Sequence, residues 1–433
     1  MSMKNDIRIA IIGAGISGLS AAHILRQKGY SNVVLFEEKD RIGGKINTLE
    51  KEGCFYELGG IFVQGSFNTV KGLLRDYGGS LTPKQPLKAA VVRNGQQTSM
   101  SKYVREKYGV FKSAQSFCRI ARLLVKHDEL AQPSFARIDP SMHRTIDHYA
   151  ADHAIEPISY AIAPFVTGMG YGYVDSTPAL HAMMLIKRTL GFAVGLELNS
   201  AIGTKIPVTY YVKNGYRMFL EKIAVHFDVR LKTGVHKVER LRNGDRFRII
   251  ISTTAEEETF DRLFISSPPP DTRKFLDMNE EEAQVLKPVR NLFFQTTLFY
   301  GRNLPNDRML FFPNATSSSR MDGFPVCIAN FHPKKNIFQA YQLHDGSLAI
   351  EKLEEMLRRV VIMLGGTTGD ILTRETFTYL SHYSEKDLCR VRPYERLERL
   401  QGKNGTYFIG GLVSMESADD VASHAQQLVF RHF

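Results

Sequence analysis

The opening of the chain constrains its fold more than any other stretch. Ile7 to Ile12 (IRIAII) is apolar in every residue but Arg8, the pattern of a short strand buried on both faces of a parallel sheet. GAGISG follows at once and sets Gly13, Gly15 and Gly18 in G-x-G-x-x-G spacing. LSAAHILRQKGY then carries Leu19, Ala22, Leu25 and Arg26 at helical spacing, which predicts a helix ending near Gly29. Val33 to Phe36 predicts a second strand, and Glu37 stands nineteen residues beyond Gly18. Each part has a mechanical role. The glycines admit a close backbone approach to a pyrophosphate, the helix amino end offers free N–H groups and a positive dipole, and the carboxylate accepts from ribose hydroxyls. A lone G-x-G-x-x-G says little, but here strand, helix and acid fall together and point to a bound dinucleotide.

The words that follow narrow the dinucleotide. EKDRIGGKI brings Arg41, Gly43, Gly44 and Lys45, and YELGGIF brings Glu57, Gly59 and Gly60. A second glycine pair just after the ribose acid allows another close backbone pass against phosphates. This stretch resembles the R-x-G-G-R word of the flavin-containing amine oxidase superfamily, with Lys45 where relatives carry arginine. Lysine keeps the charge and loses the planar fork. The resemblance implies FAD as cofactor, and Cys389 in DLCRV lacks the context of a cysteine-attached flavin, so the expected binding is non-covalent.

Two later stretches carry the same resemblance. Tyr210 to Leu241 reads as a glycine turn, a helix and a strand leading to Val235; a polar strand pair and LFISSPP (Leu263 to Pro269) follow. In the superfamily the residue matching Val235 meets the adenine through its backbone. The tail, GTYFIGGLVSMESADDVASHAQQLVFRHF, sets a strand (Tyr407 to Ile409) against Gly410 and Gly411, then starts a helix near Asp419, with Val421 close to the flavin ring. Gly411 stands where relatives carry the acid that holds the ribityl chain. The implied fold is α/β: a discontinuous, Rossmann-like FAD-binding domain (1–80, 205–270 and 390–433) beside a mixed α+β substrate domain (81–204 and 271–389). Within the latter, Tyr103 to Arg122 and Pro178 to Leu190 read as helices, and Asn291 to Tyr300 and Pro325 to Phe331 as sheet. GMGYGY (Gly168 to Tyr173) and GGTTG (Gly365 to Gly369) have the wrong spacing for a second dinucleotide and read as turns, which leaves the substrate as hydride donor.

Within the superfamily, APFVTGMGYGYVDSTPA, YLSHYSEKD…YERLERLQGKNGTYFIGG and SHAQQLVFRHF resemble the bacterial polyunsaturated fatty-acid (linoleate) isomerases. What that implies is removal of a hydride from a bis-allylic carbon and its return elsewhere, so that the double bond moves without net oxidation. Such chemistry needs a C–H held against the flavin and an aromatic wall that tolerates an allylic cation. The substrate expected is small, apolar and anionic. Its wall would include Phe165, Met169 and Tyr171, and Lys88 lies where the resemblance places a carboxylate clamp. Met169 stands in place of an expected Phe. Burying an eighteen-carbon tail at about 0.8 kcal/mol per methylene outweighs one partly exposed lysine–carboxylate contact of about 1 kcal/mol, so the cation would set register rather than affinity. Amine oxidation is the rival, but NLFFQTTLFY has no lysine and the chain has no Trp, both usual in those relatives. A non-enzymatic FAD-stabilised protein is the third reading.

Composition sets the outer limits. The 433 residues suffice for two or three domains, and 43% apolar against 23% charged residues excludes a disordered chain. A net charge of +11 favours anionic partners, yet the cations are dispersed, which argues against nucleic acid. Cys54, Cys118, Cys327 and Cys389 form no C-x-x-C pair, so neither a zinc site nor a disulfide framework is expected, and no metal. The opening is unlike a signal peptide, and Ala179 to Ile202, the nearest apolar stretch, is broken by Lys187, Arg188, Glu197 and Asn199. A cytoplasmic protein is the expectation. A peripheral membrane contact through PALHAMMLIKRTLGFAVGL stays open beside the plainer reading of that segment as a core helix.

Overall fold

The computed structural model describes residues 6–84, 87–189, 209–243 and 246–433. Ile9–Ile12 is buried and forms the centre of a five-stranded sheet. Its neighbours are Val33–Phe36 and then Asp228–Arg230 on one side, Arg262–Ile265 and then Thr406–Phe408 on the other, all parallel. Three stretches far apart in sequence thus supply one sheet. Side chains alternate across it with the pleat. Ile9, Ile11, Val33 and Leu35 pack under the helices, while Ala10, Ile12, Val34 and Phe36 join the core beneath a three-stranded antiparallel sheet, Val235–Asn243, Arg246–Thr253 and Glu257–Phe260. Being covered on both faces explains why Ile9–Ile12 and Val33–Phe36 read as continuous apolar runs.

The helix Ile16–Gln27 follows the first strand and packs against Ala418–His432 and Tyr216–Ala224. It ends at Lys28, and Gly29 takes the left-handed φ of 90° that closes such a helix.

The remaining chain builds a seven-stranded sheet. Its order is Thr367–His382, Arg290–Arg302, Ile337–His344, Pro325–Ala329, Arg308–Phe311, Lys88–Arg93 and Gln96–Thr98. Only the pairing of Lys88–Arg93 with Arg308–Phe311 is parallel. The helix expected at Tyr103 to Arg122 spans Met100–Lys126, interrupted at Gly109, whose φ of 71° is not helical. A further helix begins at residue 179 and is described to residue 189; the rest of PALHAMMLIKRTLGFAVGL lies outside the described residues. In the described part, the side chains from Ala179 to Ile186 are all buried, as a core helix requires. No helix among the described residues is long and apolar enough to cross a membrane.

One buried acid ties a hairpin to the start of a helix. The helix Tyr216–Ala224 starts at Gly215 and has no side-chain cap of its own. The hairpin Thr48–Lys51 with Cys54–Glu57 supplies one instead: Tyr216 N–H donates to Glu57 at 2.9 Å, Arg217 N–H to the Thr48 hydroxyl at 3.0 Å, and that hydroxyl to Glu57 at 2.7 Å. Glu57 is only 4% exposed, and burial lifts its carboxyl to about 7, against the pull of Thr48 and Tyr216. The folded protein therefore keeps this proton to higher pH than the unfolded chain, whose carboxyl titrates at the ordinary 4.5. Stability is then lost as pH rises through that window. Urea melts at pH 4.5 and 7 should show wild type losing about 3 kcal/mol relative to Glu57→Gln. A difference that stays flat with pH contradicts the buried protonated carboxyl.

Candidate functional site

A cleft of about 540 Å³ runs along the carboxyl edge of the parallel sheet. Its walls begin where strands end: Gly13 after the first, Glu37 after the second, Ser266 after Arg262–Ile265, and Gly410 beyond Thr406–Phe408. Open α/β sheets bind ligands at this edge because loops part there and helix amino ends converge.

The middle of the cleft is made of backbone. Gly13 has a φ of 103°, and a Cβ there would lie 2.3 Å from the Ser266 hydroxyl oxygen. Gly15 caps the helix without a side-chain hydrogen bond, so the first-turn N–H groups have no side-chain acceptor. The second glycine pair docks directly on this loop: Gly43 N–H donates to the Ala14 carbonyl at 3.0 Å, and Gly15 bridges to Gly43. Gly15, Gly43 and Gly44 line the cleft with bare backbone. Such a cradle suits an anion, pyrophosphate above all.

At one end lies Glu37, 7% exposed. Its carboxylate accepts from Ala14 N–H at 3.0 Å and from Lys39 N–H at 3.1 Å. Burial raises its pKa, and the two N–H contacts pull it back. Val235 also lines the cleft, beside Gly234 and His236.

The other end is aromatic. The strand Thr367–His382 brings in Thr376, Phe377 and Tyr379, and Gly410, Gly411 and Val421 close the wall. Lys45 reaches in from the glycine loop, its ammonium in contact with the Glu416 carboxylate and 5.2 Å from the Tyr379 ring centre. Glu416 also accepts from Leu380 N–H at 2.5 Å, and its backbone carbonyl accepts from the hydroxyls of Tyr171 (3.1 Å) and Tyr379 (3.3 Å). Burial pushes Tyr379 up to about 12. It also lowers the Lys45 ammonium to about 7, while the Glu416 carboxylate in contact favours the charged form.

Most of the cofactor residues expected from sequence meet in this cleft, Gly60 included. Three do not line it. Gly18 faces away: a Cβ there would lie 2.2 Å from the Gly13 carbonyl oxygen, so its role is close helix–strand packing. Gly59 is likewise a packing glycine, its notional Cβ 1.8 Å from the Lys45 carbonyl oxygen. Arg41 turns its guanidinium to Glu375 and to the Gly44 carbonyl (3.1 Å), bracing the loop from behind.

The expected substrate residues also fall outside the cleft. Lys88 is exposed at the start of its strand, five strands from Thr367–His382, or roughly 24 Å at about 4.8 Å per strand. Phe165 packs on Phe311, ring centres 4.4 Å apart, and Met169 is 36% exposed at the end of its helix. Tyr171 is buried one layer back, edge-on to Tyr379 at 6.3 Å. Conversely, Glu416 and the Thr376 to Tyr379 wall went unassigned in the sequence. A signal for Glu416 existed: it immediately precedes Ser417, the capping residue of the last helix.

With this geometry in place the family is settled. Residues 16–298 match the flavin containing amine oxidoreductase model, and the chain belongs to that family. Its cofactor is accordingly a flavin. Among solved structures, the chain is similar to a CLA-producing fatty acid isomerase from P. acnes (TM-score 0.86, 21% identity, 99% of both chains covered). It is also similar to putrescine oxidase bound to putrescine (TM-score 0.70, 15% identity, 98% of both chains). At these identities the likeness is one of fold. Protoporphyrinogen oxidase 2 of Arabidopsis thaliana is 29% identical over 179 residues, 40% of this chain and 35% of that protein. The flavin-containing amine oxidase of Oncorhynchus mykiss is 43% identical over 79 residues, 18% of this chain and 15% of that protein. The chain thus matches only a minor part of the length of these curated relatives.

The ion pair at the aromatic end has a measurable signature. Glu416 is 7% and Lys45 30% exposed, so removing either charge strands the other in a partly desolvated place. Lys45→Met and Glu416→Gln should each cost about 2 kcal/mol in urea melts, and the double variant less than their sum by at least about 1 kcal/mol. Strict additivity contradicts the pairing.

Proposed function

We propose that this protein is an FAD enzyme that holds its cofactor non-covalently and moves hydride between an apolar organic substrate and that flavin, shifting a double bond in an unsaturated fatty acid. The observation that carries this reading is the aromatic end of the cleft. Its lysine is committed to Glu416, so the wall offers no free amine or carboxylate, and Phe377 and Tyr379 dominate the surface that remains. A wall of this kind stabilises a developing allylic cation through ring faces and asks for no strong base. The close fold match to a fatty acid isomerase over nearly the whole chain supports the same choice. None of the four cysteines lines the cleft, which supports non-covalent binding.

The chain's own residues divide the work. Gly13, Gly15, Gly43 and Gly44, bare backbone at the cleft, would hold the pyrophosphate, and Glu37 would accept from the ribose hydroxyls. Lys45 and Glu416 hold Tyr379 and the 380 backbone in place at the aromatic end of the cleft. Bound FAD supplies a reversible two-electron hydride acceptor. The amino end of Ala418–His432, with Ala418 and Val421 at the cleft, adds a positive dipole there.

Anaerobic mixing of the FAD-loaded protein with linoleate, and separately with polyamines, decides the reaction. Conjugated-diene absorbance without lasting loss of the flavin band is expected with linoleate. Lasting bleaching by an amine assigns oxidation instead, and no response to either removes the proposal. Glu37→Ala should weaken FAD binding by on the order of tenfold to a hundredfold, the worth of hydrogen bonds to a charged acceptor. Unchanged FAD affinity in that variant contradicts the placement of the ribose.

A further inference from the structure

We propose that the second half of the helix Met100–Lys126 is a docking surface for an anionic phospholipid bilayer. The inference is independent of the reaction assigned above.

Gly109 breaks this helix, and a fresh segment runs from residue 110 to 126. Ser116, Ile120 and Leu124, four apart, form its buried side. A soluble surface helix would place polar residues opposite. Here Phe111, Ala114, Cys118 and Val125 form an apolar stripe on the outer side, with Phe111 74% and Val125 77% exposed. At about 100° per residue, Lys112, Arg119, Arg122 and Lys126 fall in a band directly beside that stripe. Between Val110 and Lys126 there is no acidic residue. Arg119 is held at the surface by the Ala154 carbonyl at 2.9 Å, and Lys112, Arg122 and Lys126 make no ion pair among the described residues.

An apolar stripe with a single-sign charged flank is what an interfacial helix presents to a membrane. The rings enter the acyl boundary while the cations stay with anionic headgroups. Seventeen residues give a footprint roughly 25 Å long. Scattered exposed apolar residues need no explanation, but an aligned row with unpaired cations beside it does. The charge argues for a strongly anionic partner, and apolar side chains exposed along one helix face suit the boundary of a bilayer. This surface differs from the segment after residue 178, whose described apolar side chains are buried in the core.

The test is co-sedimentation of the full-length, FAD-loaded protein with vesicles. Binding is expected to vesicles of equal parts phosphatidylcholine and phosphatidylglycerol, not to phosphatidylcholine alone, and should weaken with salt. Replacing Lys112, Arg122 and Lys126 by Gln should lower affinity on the order of a hundredfold, from about fivefold per cation. Phe111→Ser with Val125→Ser should lower it at least about tenfold. Both variants change exposed positions and should melt like wild type. To localise the contact, an environment-sensitive dye on Cys118, in a Cys54→Ser, Cys389→Ser background, should shift to the blue with the mixed vesicles. Failure to bind them, binding that survives both variants, or a silent dye overturns the proposal. So does a concentration-dependent dimer abolished by Phe111→Ser and Val125→Ser, which would assign the stripe to a second copy of the chain.

Discussion

The structure hangs on the backbone of one residue, Ala14. Its N–H is taken by the Glu37 carboxylate and its carbonyl by Gly43 N–H, so the first glycine turn and the connection 37–47 close on a single buried residue. The geometry is open only because the helix Ile16–Gln27 lies so close to the strand before it. Gly18 permits that approach, since any side chain there would strike the Gly13 carbonyl. The close packing points the helix amino end along the carboxyl edge of the sheet. Without it the backbone cradle would be neither exposed nor aligned with the ribose acid.

A second constraint shapes the opposite end. Gly411 leaves room that Glu416 fills, its carboxylate oxygen 2.6 Å from where a Cβ at 411 would stand. An acid five residues further on thus occupies the space that a side chain at 411 would claim. It brings Lys45 inward, and the two charges cancel beside Tyr379. The cleft therefore runs from a polar, backbone-rich middle to an aromatic, electrically quiet end. That gradient is the physical basis for reading the reaction as hydride transfer against an apolar substrate.

How much of this was legible in the sequence follows from how local each signal is. The strand at Val33–Phe36, the helix after Gly15 and the acid at 37 were readable because a few neighbouring residues determine them. So were the strands near 263 and 407 and the final helix, which begins at Ala418. The role of Gly18 was only half readable: its spacing marks the motif, while its contact is with Gly13 rather than with a ligand. Arg41 belongs to the cofactor word in the sequence, and its contact with Glu375, more than three hundred residues away, could not be read there. The distance of Lys88 from the cleft was unreadable for the same reason. Strand order in the seven-stranded sheet is non-local, and pattern alone could not show that Lys88–Arg93 sits far from Thr367–His382. The amphipathic segment after residue 178 illustrates the converse, since a run of apolar residues there serves the core.

Binding of the cofactor by these backbone cradles is the claim from which the others descend. Its most direct test is a titration of flavin-free protein with FAD, repeated in the presence of ADP, which shares only the adenosine and pyrophosphate half. The account predicts saturation at one FAD per chain, a perturbed flavin spectrum on binding, and competition by ADP. Protein that folds but takes up no FAD, or takes it up indifferent to ADP, contradicts it.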